Sequence, residues 1–337
     1  LVVSSPGHSA GGNTGRAYIF YNDGTIPTTA ATADVMITGT TAGDLFGSDF
    51  AVGDFNTDNR IDLAVTAYGH SSSTGRTYIF YNDGTIPTTA ATADVMITGT
   101  TSGDFFGKRV IAGDFNADTR TDLISMAPGT AAAAYIFYND GTIPTTAATA
   151  DVTITGITGS TGSDMAAGDF NADSKTDFAF TISDSVDPSS LYIFYNDGSI
   201  PTSTASADVY IPISSIATTR LSLAAQDINT DGRVDIVFSD GGGTNSVYVF
   251  YNDGSYPASS SLADKVYTGA SSSYGAAVHI MDINLDGKPD VIVSDTSDSS
   301  SKGIVYSYIS ETSYIPDLPT SATFRGDIIM RGDNTVR

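Results

Sequence analysis

Cysteine is absent from the 337 residues of this chain. A disulfide framework and a thiolate metal site are therefore both excluded. No apolar run approaches the roughly 20 residues that a membrane helix needs. Basic residues are scarce: 15 Lys and Arg stand against 38 Asp and Glu, for a formal net charge of −23. A surface of that sign repels nucleic acid and anionic membranes, so nucleic-acid binding and membrane insertion are not expected. Helical periodicity is missing too. Three histidines, His8, His70 and His279, are scattered with no pair at metal spacing. His8 and His70 fall at equivalent loop positions and read as solvated. Nothing resembles a nucleophile elbow or a Ser/His/Asp constellation, and no Asn-x-Ser/Thr sequon occurs. The chain opens on Leu1-Val2-Val3-Ser4-Ser5-Pro6-Gly7 in mid-repeat, without a signal-peptide pattern, so its front is expected to be processed or truncated.

What is present is an acidic loop, five times over. The copies are Asp54-Phe-Asn56-Thr-Asp58-Asn-Arg-Ile-Asp62, Asp114-Phe-Asn116-Ala-Asp118-Thr-Arg-Thr-Asp122, Asp169-Phe-Asn171-Ala-Asp173-Ser-Lys-Thr-Asp177, Asp227-Ile-Asn229-Thr-Asp231-Gly-Arg-Val-Asp235 and Asp282-Ile-Asn284-Leu-Asp286-Gly-Lys-Pro-Asp290. Side-chain oxygens fall at positions 1, 3, 5 and 9 of each. A hard cation such as Ca2+ takes six to eight oxygens, and alternating Asp and Asn on a tight loop supply them. A polar turn needs two such residues, not four in alternation. Three Asp in each loop account for 15 of the 38 acids, and one divalent ion per loop would bring the charge from −23 to about −13.

The loops sit in a longer repeat. Residues Tyr18–Thr41 recur letter for letter as Tyr78–Thr101, and eighteen of those letters return at Tyr135–Val152. Weaker copies begin at Tyr192 and Tyr248 and a decayed one at Val305. The period of roughly 55–60 residues is that of an array of supersecondary units. Each unit reads as four short strands: Asp49–Gly53, Leu63–Ala67, Thr77–Tyr81 and Asp94–Gly99 in the second copy. Tyr78 and Phe80 project to one face of the third strand, Ile79 and Tyr81 to the other. Both faces are large and apolar, so both must be covered. A blade wedged between two neighbours meets that need better than a sandwich sheet, which wets one face. The expected fold is all-β: a single β-propeller domain of four-stranded blades over residues 1–337, with six repeats visible (approximately 1–44, 45–104, 105–160, 161–217, 218–271 and 272–337) and six or seven blades in all. Second strands are expected around Val2, Ala64, Ile124, Ala179, Val237 and Ile292. Asp327–Asp333 aligns with the fourth strand Asp34–Thr40; an alternative alignment makes Ile328–Asp333 an inner strand that closes the ring.

These units resemble FG-GAP repeats, the family of the integrin α-subunit propeller and of many bacterial surface proteins. The name-giving letters stand at Phe46-Gly47 and Phe106-Gly107, with Ala127-Pro128 beyond them, and the acidic loops match the family's calcium loops. The resemblance implies structural calcium sites, about five, with a backbone carbonyl at the seventh position: Arg60, Arg120, Lys175, Arg233 and Lys288. Later repeats lose the Phe-Gly and Ala-Pro letters. Thr119 and Ser174 occupy a sixth position where a left-handed turn suits Gly or Asn better, so those two sites are expected to bind more weakly.

The functional expectation is a non-enzymatic, extracellular or cell-surface calcium-binding scaffold for adhesion. Its partner is a protein or glycan ligand, or copies of itself. A structural subunit of an extracellular filament or assembly is the first alternative and a carbohydrate-binding lectin the second. Five Tyr-Asn-Asp-Gly turns suit a sugar-binding rim but read better as hairpin chemistry. Thr25–Thr32 and Ser259–Ser261 read as polar loops before glycan carriers, and Arg325-Gly326-Asp327 and Arg331-Gly332-Asp333 as chance matches to the integrin tripeptide.

Overall fold

A computed structural model describes residues 1–8, 12–27, 29–130, 132–157, 164–183, 189–213, 221–240, 244–296 and 303–309. The Asp327–Asp333 strand and both Arg-Gly-Asp strings lie outside the described residues. The chain divides into two compact units, Leu1–Ile157 and Thr158–Arg337, a boundary between the third and fourth repeats.

The first unit holds three sheets. One is β1 (Val2–Ser5), β2 (Arg16–Ile19) and β3 (Val35–Thr38). The next is β4 (Phe50–Gly53), β5 (Asp62–Ala67), β6 (Arg76–Phe80) and β7 (Val95–Thr98). The third is β8 (Arg109–Gly113), β9 (Asp122–Ala127), β10 (Ala133–Phe137) and β11 (Val152–Thr155). The second unit repeats the scheme with β12 (Met165–Gly168), β13 (Asp177–Ile182), β14 (Ser190–Phe194) and β15 (Val209–Pro212). There follow β16 (Leu223–Gln226), β17 (Asp235–Ser239), β18 (Ser246–Phe250) and β19 (Lys265–Thr268), and finally β20 (Tyr274–Met281), β21 (Asp290–Asp295) and β22 (Ile304–Tyr308). Every sheet runs antiparallel in chain order, the blade pattern of a β-propeller. The six expected second strands are β1, β5, β9, β13, β17 and β21. Helical structure among the described residues is limited to single turns such as Ala90–Thr92 and Ala147–Thr149.

Burial follows from the two-faced strands. All six residues of β5, β9 and β13 are buried, so no polar-out alternation survives there. In β6, Tyr78, Ile79 and Phe80 are buried together, as read from the sequence. One face of this sheet takes the Phe of the Phe-Gly pair. Phe46 packs edge-on against Tyr78 at 5.5 Å and Phe80 at 6.1 Å. In the next sheet Phe106 packs tilted against Tyr135 at 5.8 Å and edge-on against Phe137 at 6.0 Å. The second unit has lost these letters, and larger strand residues take up the volume. Where β5 has Leu63 and Val65 opposite Phe80 and Tyr78, β13 has Phe178 and Phe180 opposite Phe194 and Tyr192. Phe178 stacks on Phe194 at 5.1 Å, and Phe238 on Phe250 at 5.4 Å in the following sheet. Aromatic bulk lost from the Phe-Gly position is thus matched by larger residues within the strands, the kind of exchange that cores tolerate.

Successive sheets are tied along their first strands in both units and also at the outer margin in the first. First strands follow one another through side-chain links: Val110 N–H donates to Asp49 Oδ2 at 3.1 Å, Leu223 N–H to Asp164 Oδ2 at 3.0 Å and Val278 N–H to Ser222 Oγ at 3.1 Å. At the outer margin Thr38 N–H donates to Thr88 O at 3.0 Å and Thr98 N–H to Thr145 O at 3.1 Å. The letter-for-letter Ile-Pro-Thr-Thr-Ala-Ala segment is therefore an inter-repeat seam. Ala90 and Ala147 are buried in it.

Gly75 marks a close approach of two repeats. Its φ is +83°, and a Cβ there would lie 2.0 Å from the carbonyl oxygen of Phe106. At Gly84 φ is also positive, +120°, but the space is open to 3.5 Å. Gly84→Ala should cost only the left-handed penalty, about 1–2 kcal/mol. Gly75→Ala should cost clearly more, because backbone must move. Denaturant midpoints of the two variants measure the difference; equal losses would mean that the repeats do not approach this closely.

Candidate metal centre

Each acidic loop joins the first strand of a sheet to the second. Position 1 follows the first strand, and position 9 opens the second (Asp62 in β5, Asp122 in β9, Asp177 in β13, Asp235 in β17, Asp290 in β21). The loop closes on itself through two left-handed residues. Position 4 has φ near +60° in all five copies (Thr57, Ala117, Ala172, Thr230, Leu285), and position 6 lies between +65° and +88° (Asn59, Thr119, Ser174, Gly232, Gly287). Those reversals turn consecutive N–H groups inward. In the first loop Asp54 Oδ1 accepts from Asp58 N–H at 3.1 Å and Asp54 Oδ2 from Asn59 N–H at 2.8 Å. Asn56 Oδ1 accepts from Asp58 N–H at 3.1 Å, and Asp58 Oδ1 from Arg60 N–H at 2.8 Å. The same bonds recur in the loops of Asp114, Asp169, Asp227 and Asp282.

Position 9 is different in kind. Asp62, Asp122, Asp177, Asp235 and Asp290 are buried, whereas positions 1, 3 and 5 lie half-buried or exposed. One carboxylate oxygen accepts from the N–H of position 2, at 2.8 Å for Phe55 to Asp62 and for Phe115 to Asp122. The other accepts from the Asn of the Tyr-Asn-Asp-Gly turn: Asn82 N–H to Asp62, Asn139 to Asp122, Asn196 to Asp177 and Asn252 to Asp235, all at 2.7–2.8 Å. The hairpin turn is thus part of the loop's frame. At position 7 the side chains of Arg60, Arg120 and Lys175 reach across to the carbonyl oxygens of Asn82, Asn139 and Asn196, at 3.4, 3.4 and 3.0 Å. Arg233 and Lys288 hold the same position, and both donate their own N–H to position 5.

Burial dominates the electrostatics. It raises the pKa of Asp62 and Asp235 and pushes Asp122 and Asp177 up to about 6; neighbouring loop carboxylates add to the rise, and only backbone N–H groups oppose it. A carboxylate in that setting lacks a positive charge. The donor set is all oxygen, hard and mixed: two carboxylates, an Asn carbonyl oxygen, a backbone carbonyl and the buried Asp. It fits a divalent cation of the calcium type. The loops are not a ready-made cage, however. Among the described residues no group of three or more His, Asp or Glu side chains converges on one point.

Other polar groups read from the sequence are placed as follows. His70 is not a solvated loop residue: its Nδ1 pairs with Asp44 Oδ2 at 2.8 Å, and both side chains are largely covered. Burial lowers the pKa of His279. Asn139 and Asn252 are buried with their amides bonded to backbone, which removes them from any sugar-binding rim. Ser260, inside one Ser-rich stretch, is buried.

Sequential antiparallel blades joined by such loops define an all-β repeat protein of propeller type. Residues 169–238 and 227–293 each match the family model of the FG-GAP-like repeat. The matched stretches open on Asp169 and Asp227, first positions of acidic loops, and each runs through the next loop. A search among curated proteins finds no match to the chain. FG-GAP-like repeats imply a β-propeller-like binding scaffold and are generally non-enzymatic. Among the described residues no helix is long and apolar enough to cross a membrane.

Two outcomes follow from the loop geometry. Native Asp122 and Asp177 hold a proton up to about pH 6, while an unfolded Asp releases it near pH 4. The metal-free fold therefore binds more protons in that window. The stability these two groups contribute is complete below about pH 4 and is lost as pH rises through about 6. Carboxyl-carbon NMR of the metal-free protein should show two such midpoints; ordinary midpoints for both would refute the burial argument. Separately, Thr119→Gly and Ser174→Gly should each stabilise the protein by about 0.5–1 kcal/mol, since both residues sit left-handed. Urea midpoints test this, with Asn59→Gly as a near-neutral control.

Proposed function

We propose that this chain is an extracellular or cell-surface scaffold, stabilised by calcium, that binds a protein or glycan ligand and performs no chemistry of its own. The observation that carries the reading is the fivefold recurrence of one loop geometry around a buried carboxylate at position 9. Asp, Asn and Asp at positions 1, 3 and 5, the position-7 carbonyl and the ninth Asp would hold the ion. When bound, the ion supplies positive charge to a cluster that otherwise repels itself, and no bond-making chemistry is needed. Because position 9 also starts the second strand and holds the hairpin turn, binding energy passes into the fold. Ion loading near ~1 mM calcium with a dissociation constant of ~0.1–1 mM stabilises each site by about 0.4–1.4 kcal/mol, or about 2–7 kcal/mol for five. That is comparable with the whole stability of an ordinary domain. Cytosolic calcium is too dilute to fill sites of this strength, which supports a place outside the cell.

The test is thermal unfolding with and without a chelator. EGTA should lower the melting temperature by about 5–15 °C, and added calcium should restore it where magnesium does not. A melt indifferent to EGTA would end the structural-metal reading.

A further inference from the structure

Two buried asparagines each touch two acidic loops at once. Asn139 gives its backbone N–H to Asp122 Oδ1, position 9 of the loop in its own repeat, at 2.8 Å. Its side-chain Nδ2 donates to the carbonyl oxygen of Phe55, position 2 of the loop in the preceding repeat, also at 2.8 Å. Phe55 in turn gives its N–H to Asp62, position 9 of that earlier loop. The second unit repeats the arrangement. Asn252 N–H donates to Asp235 Oδ1 at 2.7 Å, and Asn252 Nδ2 to Phe170 O at 2.9 Å, while Phe170 N–H donates to Asp177. Both asparagines are nearly sealed from solvent, 3% and 2% exposed. So one continuous run of hydrogen bonds joins the ninth carboxylates of adjacent loops: Asp62 to Asp122, and Asp177 to Asp235.

We propose that Asn139 and Asn252 are positioning residues that couple neighbouring loops, so that calcium binds cooperatively to the pair 54–62 and 114–122 and to the pair 169–177 and 227–235. The inference rests on the calcium reading above. The physical route is ordering. An ion in loop 54–62 fixes Asp62 and the Phe55 peptide. That fixes the Asn139 amide from one end, and with it the N–H that orients the Asp122 carboxylate. The second ion then finds its buried ligand already placed and loses less freedom on binding. Linkage makes the effect reciprocal. Among the described residues only these two asparagines make the bridge: Asn196 is equally buried, but its Nδ2 finds no partner. The Asp282 loop belongs to neither pair.

The experiment uses the full chain, with calcium alone as the probe and amide hydrogen exchange as the readout. The calcium midpoint for protection of residues 54–62 is measured in the wild type and in Asp118→Ala, which disables the neighbouring loop at an exposed position. Asp118→Ala should raise that midpoint by at least about fivefold. In an Asn139→Ala background the same change should leave it unmoved, because the bridge is already cut. Asn252→Ala severs only the other bridge and should preserve the full effect, which controls for general loosening of the fold. An Asp118→Ala midpoint equal to wild type overturns the proposal, as does a shift that survives in Asn139→Ala. If the wild type takes up no calcium, shown by flat titration calorimetry and unchanged exchange, the scaffold reading itself fails and this inference falls with it.

Discussion

A carboxylate buried at the root of a strand organises five of the six repeats. In four of them it accepts from its own loop on one oxygen and from a distant hairpin turn on the other. Burying an ionised group without a counter-charge is expensive, and proteins normally answer with pairing, protonation or metal. Here the nearest answers are backbone dipoles. They set orientation firmly but only partly offset the charge, which is why burial still pushes Asp122 and Asp177 up to about 6. Under the calcium reading proposed above, a cation would supply the missing charge, and the oxygens of the loop would hold it.

The second constraint is that the sheets around β5, β9 and β13 are not self-sufficient: residues on both faces of these strands are buried, so both faces must be covered. Contacts between successive repeats are accordingly backbone-level and specific: the Thr98–Thr145 seam, the Asp49–Val110 link and the Gly75–Phe106 approach. Near-identical repeats follow from this. A segment that forms both the body of one unit and the docking surface of the next cannot change without changing its partner. Where the second unit lacks the Phe-Gly letters, Phe178, Phe180 and Phe238 stack on aromatic neighbours within the sheet instead.

Strand positions, the four-strand unit and the acidic loops were legible because each leaves a local mark: two-faced apolar runs, Asn-Asp-Gly turns, oxygen at alternate positions. The left-handed fourth position was not, since Thr57, Ala117 and Leu285 are residue types that rarely adopt it. The sixth position was legible because Gly and Asn occur there. Asn139 and Asn252 looked like hairpin residues because a turn explains them fully; their second bond spans 84 and 82 residues and has no local signature. His70 was misread for the same reason, its partner Asp44 being 26 residues away. The Phe-Gly letters of the first half led to the family, yet the family model matches 169–293, where those letters are gone. The acidic loop and the strands around it carry the family pattern there.

The distribution of exposure within a loop bears on what the loops are for. A site built for catalysis needs an ion with an open position and a poised acid or base beside it. These loops place their outer oxygens toward solvent and their deepest one toward the hairpin. The deep carboxylate touches backbone on both oxygens and so has little freedom to transfer a proton to a substrate. Energy gained at such a site goes to fixing strand, turn and neighbouring repeat. On the reading proposed above, such a loop would act as a clamp on a repeat array.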